Sequence, residues 1–302
     1  MRFSIFTGAA LALAYSSAAL AGTIYVVDDS AGDVYSYSST GVRSVFSTQV
    51  GFSDIGAAFN SSGTLFAAAR DSGAIDEYSP TGVESVFASV ASPYGLAVNS
   101  AGDVFTGASF GLNIIEFTPS GTASVFATGQ QVYSLAFDSH GDLFEGSNGT
   151  IDEFAPNGTE TTFATGTGAV FGLTFDGTGN LYAGSWNNEI LKFTPGGTES
   201  VFASFSTNYL PTGLAYDYGS GNIFMSEVQS GESLAGQQSI FEFTPAGAMS
   251  TFATGLYTPY ALADLQQIPA STPEPGSLYL IGGGIALIAL RRLRVRSAGI
   301  GL

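Results

Sequence analysis

Covalent chemistry needs nucleophiles, proton carriers or metal ligands held close together, and this chain offers few of them. Its 302 residues include no Cys and a single His. That count excludes disulfides, thiolate metal sites and His-rich metal sites. The one histidine, His140, sits in Asp138-Ser-His-Gly-Asp142, whose residue types suit a tight turn better than a proton relay. Similar runs stand at 29–33 (DSAGD) and 99–103 (NSAGD). They echo calcium loops, yet none has the twelve-residue ligand register of an EF-hand. All three read as turns between the first and second strands of a repeated unit. Asp54, Glu145 and Glu227 are candidate site carboxylates by position alone.

Aromatic side chains are far more plentiful, with 24 Phe and 14 Tyr but one Trp. Tyr94, Tyr133, Phe171 and Tyr260 occupy equivalent places at the entrance to a strand, with Ile55 and Thr212 at the two others. Rings gathered at one level make a platform for sugar rings or apolar groups, or else they pack as ordinary core. Trp186, in a short loop expected on the same face, is a stacking contact or a half-buried packing residue. The loop from Val228 to Gln238 is the longest inside any repeat, a functional loop or a tolerated insertion. Asn148-Gly-Thr and Asn157-Gly-Thr match the glycosylation sequon and read equally well as turns. The binding candidates are therefore Tyr94, Tyr133, Phe171, Trp186 and Tyr260. No catalytic or metal-ligating residue is assigned, and no cofactor is expected.

The elements that must hold these residues are written in a repeat. An aliphatic residue opens each copy (Val34, Ile75, Ile114, Ile151, Ile190, Ile240) and an aromatic follows three residues later. Gly comes four further on, from Gly41 to Gly247, and Phe five after that, from Phe46 to Phe252. The copies lie 41, 39, 37, 39 and 50 residues apart, so one supersecondary unit recurs. It reads as a β-hairpin: in five copies Pro stands two residues before the Gly, where a fixed φ suits position i+1 of a turn, and Gly supplies the positive φ at its exit. Ahead of each hairpin lies a second pair of strands, as in YGLAVNSAGDVF and YSLAFDSHGDLF. In the first of these, small residues (Gly95, Ala97; Ser134, Ala136) alternate with bulky ones, as expected where innermost strands converge on an axis. The second repeats an aromatic (Tyr25, Phe66, Phe105, Phe144, Tyr182, Phe224) predicted to fill the space between neighbouring units.

Four strands per unit is the make-up of a propeller blade. TIYVVD at the start matches second strands and YALADL at the end matches first strands, so one blade is shared by the two termini and the ring closes. The prediction is an all-β, six-bladed β-propeller with four antiparallel strands per blade over residues 22–268. Of 25 acidic residues only Glu274 lies beyond it, while its basic residues are Arg43, Arg70 and Lys192. Without clustered Lys and Arg, nucleic acid is not a partner.

The run GLAVNSAGDVF followed by IIEFTPSG resembles the NHL family of propeller repeats, and more broadly the six-bladed propellers of the gluconolactonase and virginiamycin-lyase type. SWNNEI, with Asn187 and Asn188, comes nearest to the Asn-containing loop of NHL repeats. The resemblance covers about Gly22 to Gln267 and implies architecture; such propellers include hydrolases, lyases and binding or scaffold domains. It implies ligands near the central channel. A lactonase-like metal centre would need Glu, Asn and Asp converging there, and lyase-like chemistry a positioned His, for which the turn holding His140 is a poor place.

The two ends are of another kind. Residues 1–21 combine Arg2, an apolar run from Ala9 to Tyr15 and Ala19-Leu20-Ala21, the layout of a secretory signal peptide. Residues 269–276 form a linker with Pro273-Glu274-Pro275. Residues 277–296 hold an apolar run of 14 residues from Ser277 to Leu290, roughly 21 Å as a helix against ~30 Å of hydrocarbon, then Arg291, Arg292, Arg294 and Arg296. The arginines place this short transmembrane helix with its C-terminus in the cytoplasm and the propeller outside. The order resembles the PEP-CTERM sorting signal, which implies an exosortase-type processing enzyme as partner, transient residence in the inner membrane, and release to the cell surface or extracellular matrix. The expected function is an exported binding or structural module contacting exopolysaccharide or envelope proteins. The alternative is a metal-dependent lactonase-like hydrolase or a lyase using the channel.

Overall fold

The computed structural model describes residues 23–28, 32–48, 54–108, 112–128, 131–205, 209–229 and 236–264. The leader, the Pro-Glu-Pro linker with Pro273, Glu274 and Pro275, and the apolar segment with Arg291 and Arg292 lie outside them. The chain divides into Met1–Ile268 and Pro269–Leu302, and every described residue belongs to the first unit. Among the described residues no helix is long and apolar enough to cross a membrane.

Twenty-three strands make up this part. In chain order they are β1 (Ile24–Asp28), β2 (Asp33–Tyr37), β3 (Arg43–Thr48), β4 (Asp54–Phe59), β5 (Leu65–Ala69), β6 (Ala74–Tyr78), β7 (Glu84–Ser89), β8 (Pro93–Val98), β9 (Val104–Ala108), β10 (Asn113–Phe117), β11 (Ala123–Thr128) and β12 (Ser134–Phe137). There follow β13 (Leu143–Gly146), β14 (Asn148–Phe154), β15 (Glu160–Phe175), β16 (Leu181–Ser185), β17 (Glu189–Phe193), β18 (Glu199–Ser204), β19 (Tyr209–Tyr216), β20 (Ile223–Gln229), β21 (Gln238–Phe243), β22 (Met249–Leu256) and β23 (Pro259–Asp264). All pairings are antiparallel, in the orders β23-β1-β2-β3, β4-β5-β6-β7, β11-β10-β9-β8, β19-β20-β21-β22 and a seven-stranded β12-β13-β14-β15-β16-β17-β18. This is a β-propeller. The 16-residue β15 pairs with β14 through its first half and with β16 through its second.

The hairpin turns are those the repeat predicts. In every copy the Gly amide donates to the carbonyl three residues back, for example Gly82 to Ser79 at 2.8 Å, with Gly82 at φ +81°. The turn has a second task that sequence spacing alone does not reveal. A Cβ on Gly82 would meet the carbonyl oxygen of Phe46, the residue closing the preceding copy, and one on Gly41 would lie 3.0 Å from that of Phe252. Turn glycine and closing Phe thus dock adjacent sheets. The closing Phe also meets the second-strand aromatic of its own sheet edge to face, as in Tyr25–Phe46 (4.9 Å) and Phe224–Phe252 (4.7 Å). It then reaches the neighbouring third strand, as in Phe87–Phe117 (6.1 Å). The predicted filling between units is therefore correct. Six buried apolar clusters result, each shared by consecutive strand quartets.

Between first and second strands the turns are closed by Asx side chains. Asn99 Oδ1 accepts from the amides of Ala101 and Asp103, and Asp138 Oδ1 from those of His140 and Asp142. These acidic runs are spent on backbone amides. One placement needs correction: the run 29–33 follows β1, which is a second strand, so it connects second to third strand at the other end of the sheet. Asp29, Ser30 and Ala31 lie outside the described residues.

The strands nearest the axis approach too closely for side chains between them. A Cβ on Gly56 would lie 2.5 Å from the carbonyl oxygen of Tyr94, and one on Gly95 2.7 Å from Cα of Ser134. The same contacts recur from Gly172 to Leu214 and from Gly213 to Leu262. Their bulky neighbours Leu96, Leu135, Leu173, Leu214 and Leu262 pack into the clusters between adjacent sheets, and with Ala57 they also line a central cavity.

A ring-capped channel mouth as candidate binding site

The mouth lies at the end where the innermost strands begin, and its wall is the residue just before the close-packed glycine position in each. Ile55, Tyr133, Phe171 and Tyr260 line it, and Tyr94 stands against Tyr133 and Phe171. Thr212, the sixth, is buried with its hydroxyl donating to the carbonyl of Pro259 at 2.9 Å, so it is a structural tie. The loop after β16 brings Trp186 over this wall.

Three of the rings form a stack. Tyr133 and Phe171 lie 4.4 Å apart with planes 6° from parallel, and Phe171 and Trp186 lie 4.2 Å apart at 17°. Two rings at these separations cannot share one face of Phe171, so Phe171 is sandwiched. Tyr94 leans on both, 5.7 Å from Tyr133 and 6.3 Å from Phe171. This arrangement differs from a flat platform: the faces of Phe171 are occupied by its neighbours, and a ligand meets ring edges or the outer face of Trp186. That indole is 41% exposed and is held by Nε1 donating to the carbonyl of Pro211 at 3.2 Å. Burial pushes the Tyr94 phenol above its ordinary range, opposed by the nearby Arg70 charge and reinforced by Tyr260 and Tyr133. It is a neutral hydroxyl near pH 7.

Beside Tyr133, Phe171 and Tyr260 a cavity of about 40 Å³ is lined also by Leu135, Leu173, Leu214 and Leu262, and one of about 80 Å³ shares those leucines and is lined by Phe59, Phe137, Phe175 and Tyr218 among others. The side chains lining both cavities are mostly apolar, while the surface left exposed in them is more polar than apolar. Among the described residues no group of three or more His, Cys, Asp and Glu is placed to hold a metal. A lactonase-like divalent centre needs oxygen ligands converging on the axis, and among the described residues no Asp or Glu lines either cavity.

Of the carboxylates singled out by position, neither Glu145 nor Glu227 lines the mouth. Asp54 opens β4; its side chain lies outside the described residues. Glu227 is fully buried and accepts the Ser239 amide at 3.3 Å, tying β20 to the start of β21. Glu145 is 0% exposed on the second strand β13, on the same face as core residue Leu143, and neither of its oxygens has a hydrogen-bond partner. Burial, then the charges of Asp152 and Glu160, push its carboxyl up to about 8. His140 is at the far end of β12 from Tyr133, its side chain 80% exposed and its Nδ1 2.8 Å from Asp138 Oδ2. That hydrogen bond raises its pKa. Nothing brings it toward the rings.

Sequence reading overlooked one neighbour of the stack. The guanidinium carbon of Arg70 lies 5.7 Å from the centroid of the Tyr94 ring. A signal was available: Arg70 is four residues after Phe66 as Trp186 is four after Tyr182, so the two stand at equivalent places.

No protein-family model and no curated protein matches the sequence. Solved structures do match in fold. A streptogramin B lyase superposes with a TM-score of 0.60 at 19% identity, over 80% of this chain and 83% of that one. A catalytically inactive His-to-Ala variant of virginiamycin B lyase from Staphylococcus aureus, with quinupristin, gives 0.57 at 16% identity over 78% and 85%. A provisionally named gluconolactonase gives 0.55 at 15% over 68% and 79%. At these identities the likeness is one of fold.

Proposed function

We propose that this chain is an exported six-bladed propeller acting as a binding module at the cell surface or in the extracellular matrix. Six blades follow when the two halves of β15 are counted as the outer strand of one blade and the inner strand of the next. The observation that carries the binding reading is the capped mouth: a preorganised indole, 41% exposed, offers one open face over the aromatic cluster. Stacking on a side chain already fixed by Phe171 and Pro211 costs little conformational entropy. A polysaccharide, whose sugar rings present apolar faces and polar edges, suits such a surface. Retention on an immobilised exopolysaccharide, lost in a Tyr94→Ala, Tyr133→Ala double variant that still folds, tests this. Unchanged retention in the double variant would remove the ring cluster from the interaction.

Export is part of the proposal and rests on sequence: the signal peptide at 1–21 and the PEP-CTERM-like tail at 269–296, with an exosortase-type enzyme as processing partner. Comparing the intact mass of the secreted form with that of the membrane-bound form checks it. A secreted form that keeps the tail would count against processing.

The lyase and gluconolactonase folds among the structural neighbours favour a second reading, an enzyme acting at the same mouth. The purified propeller would then retain a divalent metal after desalting or open a streptogramin or lactone ring. Neither activity would leave the binding module as the reading.

A further inference from the structure

The mouth is bordered on one side by a cation. Arg70 follows β5 directly, is exposed, and stands over Tyr94, which touches both Tyr133 and Phe171. Trp186 borders the same cluster on another side. The two other basic residues of the propeller are elsewhere: Arg43 opens β3 over Tyr35, and Lys192 pairs with Tyr182, both toward the opposite end of the sheets. In a chain with 25 acidic residues against eight basic ones, an anion approaching the propeller is repelled at most places. At physiological salt that repulsion is screened beyond ~8 Å, so a local positive charge decides where a carboxylate comes to rest. A guanidinium has five N–H donors in its own plane and matches a carboxylate in a two-pronged way.

We propose that Arg70 makes the mouth selective for sugars bearing a carboxylate, so that the ligand class is an acidic, uronate-type polysaccharide. A sugar ring lies against the cluster between Tyr94 and Trp186, and its carboxylate meets Arg70. The inference rests on the mouth being a binding site and adds the charge of what it binds. It also accounts for a lone arginine at the rim of an acidic domain.

Equilibrium binding to polygalacturonate and to uncharged dextran, for the wild type, Arg70→Gln and Trp186→Ala, provides the test. The wild type should bind polygalacturonate at least about tenfold more tightly than dextran at low salt, the scale of one charge-assisted hydrogen-bonded pair. Added salt should erode that preference. Arg70→Gln should bring polygalacturonate down to the dextran level and leave dextran unchanged, whereas Trp186→Ala should weaken both. Equal binding of both polymers by the wild type, or a preference that survives Arg70→Gln, overturns the role of Arg70 while leaving a binding site. Binding of neither polymer overturns the binding site and the selectivity together. Both substitutions are at exposed positions, and unchanged melting temperatures confirm that the fold is intact.

Discussion

Glu145 shows how much one residue can depart from its neighbours without disturbing the repeat. The position it holds, next after the second-strand aromatic, is Val26, Ala67, Thr106, Ala183 and Met225 in the other copies. A carboxyl there is fully buried, lacks hydrogen-bond partners, and faces the charge of Asp152. Since its pKa rises from 4.5 to about 8 on folding, the folded protein between those values holds a proton that the unfolded chain releases. Stability from this group is thus greatest below the lower value and falls as pH rises toward the upper one. Relative to Glu145→Gln, the wild type should lose at least about 5 °C in melting temperature between about pH 5 and about pH 8. Parallel melting curves across that range would show that the carboxyl is solvated. The ring stack belongs to this scale as well. Which residues reach the mouth was legible, because one position per repeat sets it. That Phe171 would be covered on both faces was not, because ring orientation depends on side-chain torsions that no spacing encodes.

Among the elements, the turn with its Gly and the closing Phe were readable because each obeys a local rule: positive φ for one, burial of a ring for the other. The fusion of two strands into β15 was not. Its cause is the short connection Ser147-Asn148-Gly149-Thr150, which draws β14 up to pair with Ala169, so the chain stays extended as it passes from its pairing with β14 to its pairing with β16. Only the 37-residue spacing, the shortest of the five, hinted at it. Glycine played two roles that sequence could not separate. Gly56 has no positive φ but no room, with backbone atoms 2.5 and 2.8 Å from a would-be Cβ. Gly141 has room on every side but φ of +88°. Gly56→Ala should therefore cost about 3 kcal/mol, as overpacking against backbone does. Gly141→Ala should cost about 1 kcal/mol from backbone strain alone. Chemical denaturation of the two variants distinguishes them, and equal losses would mean that the inner strands can move apart.

At the scale of the whole molecule the question is what holds a circle of sheets shut. Each sheet buries its faces only against its neighbours, so an open ring would leave two faces and two strand edges in water. The chain solves this by pairing its ends: Ile24 lies opposite Asp264 and Val26 opposite Leu262, some 240 residues apart in sequence. The seam is packed as well as paired, since Ile24, Val26 and Tyr37 share a buried cluster with Phe224, Ile240 and Leu256, and Phe252 meets Tyr37 at 5.9 Å. It is also latched. The fully buried carboxylate of Asp28 accepts the amides of Tyr257 (2.9 Å) and Thr258 (2.7 Å), just before β23 begins. Desolvation raises the pKa of Asp28 while those amides pull it back, so the latch works at the expense of a buried charge. Asp28→Ala should leave two amides without their acceptor and cost about 2 kcal/mol, or roughly 4–8 °C of melting temperature. Removing residues 258–267 takes away the closing strand, Leu262 of the cluster and the Thr258 half of the latch together, and the remaining sheets should lose their single cooperative transition. A truncated chain that melts like its parent would mean that the sheets hold one another without the closing strand.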